Sequence, residues 1–552
     1  MKKLEKLNAS DLFVKSLENE GVELIYGIPG EENLDLLEAI RKSGIKLILT
    51  RHEQAAGFMA AAYGRLTGKP GVCISTLGPG ATNFTTSAAY ATLGGFPVLF
   101  ITGQKPIKKS KQGRFQIVDA VSMMKPITKY SSMIADVNMV TSTVRQAFKS
   151  ATEGKPGAVH IEFPEDVSAE EVLDITKPVF HVSEVYTSYP NKEGLLYLSK
   201  LIKEAKLPLV LIGSHCNTSA ISDSMNKFIE TTNLPFITTQ MGKGVVREDS
   251  PNFIGTASLS SLDFVHDLTD KADLIINVGY DVIEKPPYFA NEIVKTVHLS
   301  GVNATADNIY APHIEIIGKI DNALEELTSL VGKLDKDFSY AFKVKKALDD
   351  HIDRDSKDSS FPLKPQRIVS DVQKYMAKDG YLSLDNGMYK LWFARNYKAL
   401  APNTLLLDNS LATMGAGLPV AMEVARLYPN KKVLAVCGDG GFMMNSQELE
   451  TAVRLGLNLV VLLLNDNAYG MIRWKQNGMG FDDYGMTFSN PDFVLYAESY
   501  GAKGHKLQKA DDLLTTLDKC YKEKGVHLIE IDIDYSENEK VFTKELKNRS
   551  KV

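Results

Sequence analysis

Short apolar runs rich in Val, Ile and Leu alternate along the chain with segments of helical length. In the first third they read LIYGIPG, IKLILTRHE, PGVCISTLGPG and FPVLFITGQ, and in the middle PLVLIGS, ADLIINVGY and VKTVHLS. The last third continues with YLSLDNG, NTLLLDNS, KKVLAVCGDG, LNLVVLLLNDN and GVHLIEIDID. Apolar strands separated by helices indicate parallel sheets covered on both faces. The predicted fold class is α/β, with three doubly wound parallel-sheet domains at 1–175, 190–345 and 362–545. The pattern lapses from Ile175 to Asn191 and again from Asp349 to Pro365, where DDHIDRDSKDSS leads into FPLKP. The charged run reads as a solvated linker.

Composition narrows the class of function. A chain of 552 residues, 44% hydrophobic and 24% charged, is that of an ordinary folded protein. A net charge of -5 gives no electrostatic reason to expect nucleic acid or an anionic membrane as partner, so small anions must be met by local sites. The start MKKLEKLNASDLFVKSLENEGV lacks an apolar core behind its basic residues, and Ala9 to Glu20 reads as a helix of the first domain. Cys73, Cys216, Cys437 and Cys520 are far apart with no CxxC spacing, and each reads as core filler. A reduced, cytoplasmic setting is expected.

The stretch KKVLAVCGDGGFMMNSQELETAVRLGLNLVVLLLNDNAYGM reads as strand, Gly-rich turn, helix and second strand, with Asp439 and Asp466 at the two strand ends. In a βαβ unit those ends share one edge of the sheet, so the carboxylates converge and suit a hard divalent cation. Gly438, Gly440 and Gly441 allow close backbone approach, and a helix beginning near Asn445 offers unpaired amides to a diphosphate. Taken singly, Asp439 reads equally well as a helix cap and NDN as a turn. In the first domain, ILTRHEQAAGFMAAAYGR places Glu53 between a strand end and an Ala-rich helix, where burial would favour a neutral carboxyl. Glu53 alone reads as a helix-start residue.

GDG at Gly438 to Gly440, followed by Asn465-Asp466, resembles the signature of thiamine-diphosphate enzymes. That resemblance implies thiamine diphosphate, with Mg2+ held by Asp439, Asp466 and the carbonyl of Ala468; many members have Asn where Asp466 stands. It further implies that Glu53 bonds the aminopyrimidine and promotes removal of the thiazolium C2 proton. RHE followed by STLGPGATN resembles the pyrimidine-binding domain and brings in Thr76 and Asn83. NSLATMGAGLPVAMEVA resembles the segment that holds the aminopyrimidine, with Met414 as wedge and the Ala412 carbonyl as acceptor. DNGMYKLW resembles a diphosphate loop through the backbone of Gly387, Met388 and Tyr389, and Tyr469, Gly470 and Met471 extend the cofactor-binding set. Met414 also reads as gap-filling core. GAGLPV echoes a dinucleotide fingerprint, but it does not directly follow its strand and ends in Val420, so NAD is not expected.

From Ala9 to Asp534 the chain resembles acetolactate synthases, through GIPGEENLDLLEAI, FQIVDAVSMMKPITKY and YAESYGAKG besides the motifs above. The resemblance implies condensation of two pyruvates to 2-acetolactate and CO2 through a hydroxyethyl enamine on the cofactor. It implies a homodimer or homotetramer with active sites shared between subunits. Gln116 and Lys129 would line the reaction channel, with Phe115 shaping its wall; Lys129 also reads as an ordinary surface charge. NVGYDVIEKPP at Asn277 to Pro287 resembles the catabolic, FAD-independent members, so no flavin is expected. Lys475 stands where biosynthetic members carry a tryptophan tied to 2-ketobutyrate, which favours pyruvate as acceptor, with Trp474 adjacent. Other readings are another thiamine-dependent carboligase or decarboxylase, such as a sulfoacetaldehyde acetyltransferase-like enzyme, and a non-catalytic cofactor-binding scaffold.

Overall fold

The computed structural model describes residues 7–108, 113–173, 179–183, 185, 187–257, 262–284, 294–306, 308–376, 378 and 380–552. Its contacts divide the chain into two units. One comprises Met1–Val185 together with Met422–Leu427 and Asn445–Leu455, and the other holds the remainder.

The first unit is built on a parallel sheet of β1 (Leu24–Ile28), β2 (Lys46–Leu49), β3 (Gly71–Ser75), β4 (Val98–Gln104), β5 (Tyr130–Met133) and β6 (Ala158–Pro164), ordered β2-β1-β3-β4-β6-β5. Every residue of β3, β4 and β6 is buried, because helices cover both faces of a parallel sheet. The small-residue helix Glu53–Thr67 lies close to its neighbours: a Cβ on Gly57 would stand 2.1 Å from Ser87 Oγ, and one on Gly64 2.3 Å from the Pro97 carbonyl oxygen. The first helix spans Ala9–Asn19 and is closed by a reciprocal cap between Asn8 and Asp11.

The second unit holds two parallel sheets. One consists of β7 (Pro208–Ile212), β8 (Phe236–Thr238), β9 (Phe253–Thr256), β10 (Leu274–Val278), β11 (Lys295–Ser300) and β12 (Ile314–Ile317), ordered β12-β11-β10-β7-β8-β9. The other consists of β13 (Gly380–Leu384), β14 (Leu405–Leu406), β15 (Lys432–Gly438), β16 (Leu459–Asn465), β17 (Lys503–Lys506) and β18 (Val526–Asp532), ordered β14-β13-β15-β16-β18-β17. The first and third sheets thus share one topology, and the middle sheet has the order typical of nucleotide-binding folds. In each sheet the order reverses beside one strand pair, β1/β3, β7/β10 and β13/β15, and the crevice outside the carboxyl ends of such a pair is where α/β sheets take ligands. No helix among the described residues is long and apolar enough to cross a membrane.

The charged run from Asp349 is not wholly a linker. Helix Ser339–Asp353 continues into it, because Asp349 pairs with Lys345 and Lys398 while His351 is buried against Glu545 and Arg395. Beside His351, Arg395 forms a two-pronged pair with Asp263 at 2.7 and 3.0 Å, both side chains almost fully buried. Asp263 also caps helix Phe264–Lys271. Removing one partner leaves an uncompensated buried charge, so Arg395→Met should lower unfolding stability by about 3–5 kcal/mol in a denaturant titration. A loss below about 1 kcal/mol would mean that the pair is solvated.

Candidate active site at two switch crevices

Strands β15 and β16 are adjacent and parallel, with Gly438 opposite Leu464, so Asp439 and Asp466 each lie one residue past a strand end on the same edge. Asn490 ties the two strand ends together: its Nδ2 donates to Asp439 Oδ2 at 2.8 Å and lies 3.2 and 3.1 Å from the side-chain oxygens of Asn465 and Asn467. Arg473 reaches Asp466 Oδ2 at 3.2 Å. Burial raises the Asp439 carboxyl above its usual range, and burial together with the Asp439 charge pushes Asp466 up to about 7. Two carboxylates that oppose each other's ionisation form an oxygen donor set that a hard divalent cation stabilises. Ala468 follows in the same turn, after Asn467 at a left-handed φ of 50°.

The glycines at this edge are required by close approach. A Cβ on Gly438 would stand 3.0 Å from the Tyr389 ring, on Gly440 2.8 Å from the Tyr469 ring, and on Gly441 2.3 Å from Asp385 Oδ2. Across the crevice, a Cβ on Gly387 would stand 2.5 Å from the Tyr389 ring. Tyr389 is buried between the two loops, so its side chain is packing and only its backbone lies in the loop. Helices start directly at Asp439 and Met388, aiming N–H groups at the crevice. This corrects the expected helix start near Asn445: the glycine pair lets the backbone turn at once, and the next helix is Glu448–Arg454. Helix Gly470–Gly478 carries Met471, and Gly470 lies so close to Asp466 that a Cβ there would meet Oδ2 at 2.8 Å. A cavity of about 1420 Å³ opens beside it, lined by Asp466, Gly470, Arg473 and Trp474 among others, while Lys475 is exposed with its ammonium 4.8 Å from the Trp474 ring.

Segment 408–416 is locked by two acids, Asp408 and Asp385. Asp408 accepts the N–H groups of Ser410 and Ala412 at 2.8 and 2.7 Å, holding Ala412 at a left-handed φ of 54°. Fully buried Asp385 accepts from Gly415 and Ala416 at 3.0 and 3.2 Å, and burial pushes its carboxyl up to about 6. The result leaves Ala412 exposed and Met414 half-buried at the crevice. DNG after β13 is the signal for Asp385, an acid at a strand end just as in GDG.

The first unit forms its own crevice at β1/β3. Glu53 opens helix Glu53–Thr67 and is buried; Asn83 Nδ2 donates to Glu53 Oε2 at 2.9 Å. A Cβ on Gly80 would stand 3.2 Å from Glu53 Oε1 and 2.8 Å from Thr76 Cγ2, so Glu53, Thr76, Gly80 and Asn83 come together. Thr76 Oγ1 donates to Glu32, which is paired with buried Lys105 at 2.6 Å. The loop that carries Glu53 is held by Glu448, whose Oε1 accepts from the N–H groups of Arg51 and His52 at 2.9 and 3.0 Å. Nothing in the sequence around Glu448 marked it for this task.

Gln116 lies on an exposed turn at φ 59°, its carbonyl against Gly78 of the same crevice, and Phe115 beside it is 66% exposed. Lys129 is not brought to this edge. It precedes β5, and its ammonium is clamped by the carbonyls of Glu153 and Lys155 at the amino end of the sheet, where the strand direction carries it away from Glu53. At the β7/β10 crevice of the middle sheet, the Gly213 and Gly279 loops press together and Tyr280 is buried, its hydroxyl donating to the Glu284 carbonyl at 2.5 Å. The rest of the segment expected to mark this domain, 285–287, lies outside the described residues.

Three family models match in chain order: thiamine pyrophosphate enzyme, N-terminal TPP binding domain over residues 7–123, the central domain over 197–327, and the C-terminal TPP binding domain over 385–531. The chain is 32% identical to acetolactate synthase of Bacillus subtilis (strain 168), covering 97% of this chain and 95% of that one. It is 31% identical to the catabolic acetolactate synthase of Raoultella terrigena, covering 96% of each. It is 33% identical to a probable acetolactate synthase large subunit of Methanocaldococcus jannaschii, covering 96% of this chain and 93% of that one.

Gly441→Ala should force Asp385 away from segment 412–416 and weaken thiamine diphosphate binding by at least about tenfold in calorimetric titration. Gly478→Ala, whose Cβ meets nothing within 4 Å, is the control expected to bind normally.

Proposed function

The chain belongs to the acetolactate synthase family of thiamine diphosphate-dependent enzymes, and on that premise we propose that it condenses two pyruvates to 2-acetolactate and CO2. The observation that carries the reading is full-length likeness to acetolactate synthases on a chain whose third sheet sets two carboxylates side by side at the ends of β15 and β16. When bound, thiamine diphosphate supplies a nucleophilic carbon that adds to the pyruvate ketone and a sink for the electron pair left by decarboxylation.

In this reading the side chains of Asp439 and Asp466 and the carbonyl of Ala468 hold Mg2+. The donor set is all oxygen, as that ion requires. Backbone groups at Gly387 to Tyr389, Gly440, Gly441 and Tyr469 to Met471 hold the diphosphate, and their glycines leave the room that a Cβ would fill. The carbonyl of Ala412, an exposed residue, would accept from the aminopyrimidine, and Met414 would wedge it. Glu53, placed by Asn83 and by the Glu448 clamp on its loop, holds and moves the proton at the pyrimidine ring nitrogen. Gln116 and Phe115 belong to the substrate channel. Lys129 has no part in it, since two carbonyls already hold its ammonium. Trp474 faces the cavity beside Asp466, a position suited to meeting the acceptor 2-keto acid.

The reading includes a homodimer or homotetramer with active sites shared between subunits, and a cytoplasmic setting. It requires no FAD, in keeping with the resemblance of the segment Asn277 to Pro287 to the FAD-independent members.

Purified protein given thiamine diphosphate, Mg2+ and pyruvate should release acetolactate at equal rates with and without FAD. Acetaldehyde or acetyl phosphate as the main product, or a strict need for FAD, would overturn the assignment. Glu53→Gln should lower kcat by about 10²–10⁴-fold while cofactor binding changes little. Near-normal turnover would remove Glu53 from the mechanism.

A further inference from the structure

His505, Cys520 and His527 converge in the outer part of the third sheet although they are spread over separate elements. His505 lies on β17, His527 near the start of β18, and Cys520 on helix Asp512–Glu523. Their ligand atoms, one from each residue, all lie within 4.8 Å of one another. His505 Nε2 and His527 Nδ1 are 3.1 Å apart and the two rings stack at 5.4 Å. Cys520 and His527 are fully buried, and His505 faces solvent in part.

We propose that these three side chains form a binding site for a zinc-class divalent cation, separate from the cofactor site. The chemistry differs from that of the Asp439 and Asp466 pair: two imidazoles and a thiolate select a borderline-soft ion over Mg2+. A tetrahedral zinc with bonds of about 2.1 Å to nitrogen and 2.3 Å to sulfur spaces its ligand atoms about 3.4–3.6 Å apart, against 3.1 Å between the two nitrogens here and at most 4.8 Å between any two of the three ligand atoms. His527 Nε2 lies 3.2 Å from the Lys524 carbonyl, which it can serve as donor, leaving Nδ1 to accept from His505 Nε2, the hydrogen bond that an ion would replace. Burial lowers both histidines below their usual range, so they are neutral and ready to ligate. Burial holds the Cys520 thiol up to about 12, so binding must expel its proton to solvent as the metal–sulfur bond forms, while the His505 proton moves from Nε2 to Nδ1.

The site lies toward the amino end of β18, five residues and about 17 Å of strand from Asp532, which pairs with Asn465. An ion there would tie the short edge strand β17 to β18 and to the helix over them. Solvent supplies the fourth ligand on the His505 side.

Purified holoenzyme saturated with Mg2+ and thiamine diphosphate would be titrated with Co2+ and followed by absorbance. The expected result is uptake of one equivalent per chain with a thiolate-to-cobalt charge-transfer band, lost in Cys520→Ala and in His505→Gln while acetolactate formation persists. His505→Gln, at a half-exposed position, keeps the test valid if the Cys520 variant fails to fold. No thiolate band in the parent protein, or an undiminished band in either folded variant, would overturn the proposal.

Discussion

Two carboxylates held one residue beyond neighbouring parallel strands are the constraint on which the third sheet's site depends. Gly438 opposite Leu464 fixes Asp439 and Asp466 on one edge, and burial makes their joint ionisation unfavourable, with Asp466 raised to about 7. The surrounding structure responds to that cost. Asn490 donates to Asp439, Arg473 reaches Asp466, and the adjoining glycines bring further backbone close. In the proposed reading a divalent cation would relieve the repulsion, and N–H groups at the helix starts would meet a diphosphate.

The other acids act by holding backbone. Asp385 and Asp408 fix segment 408–416 through N–H groups, and Glu448 does the same for the strand end that carries Glu53. A buried carboxylate accepting several N–H groups is well suited to rigid placement of a loop, since each bond is charge-assisted. The first and third sheets, sharing one strand order, thus both place buried acids beyond their strand ends, Glu53 in one and Asp439 with Asp466 in the other.

Much of this was legible because fully buried parallel strands must be apolar throughout. KVLAVCG and LVVLLLN stand out, and so do the acids that follow them. Less visible were β5, β6, β8, β9, β12 and β17: most are short, β6 carries His160 and Glu162 among its apolar residues, and β17 reads KGHK. Charge misled in two places. The run from Asp349 resembles solvent-facing chain, yet its first residues are helical because Lys345, Lys398 and Arg395 stand ready to meet them. Lys129 suggested a substrate guide, but strand direction places it at the amino end of the sheet. Glu448 and the His505, Cys520 and His527 cluster have no local spacing to betray them, since their partners are distant in sequence and meet only through sheet order.

The most direct measurement is calorimetric titration of the purified protein with thiamine diphosphate, once with Mg2+ and once with all divalent ions chelated. Affinity that falls by at least about tenfold on chelation, with that dependence lost in Asp439→Ala, is the expected result. Equal affinity in both conditions would contradict a metal-bridged diphosphate held by Asp439 and Asp466.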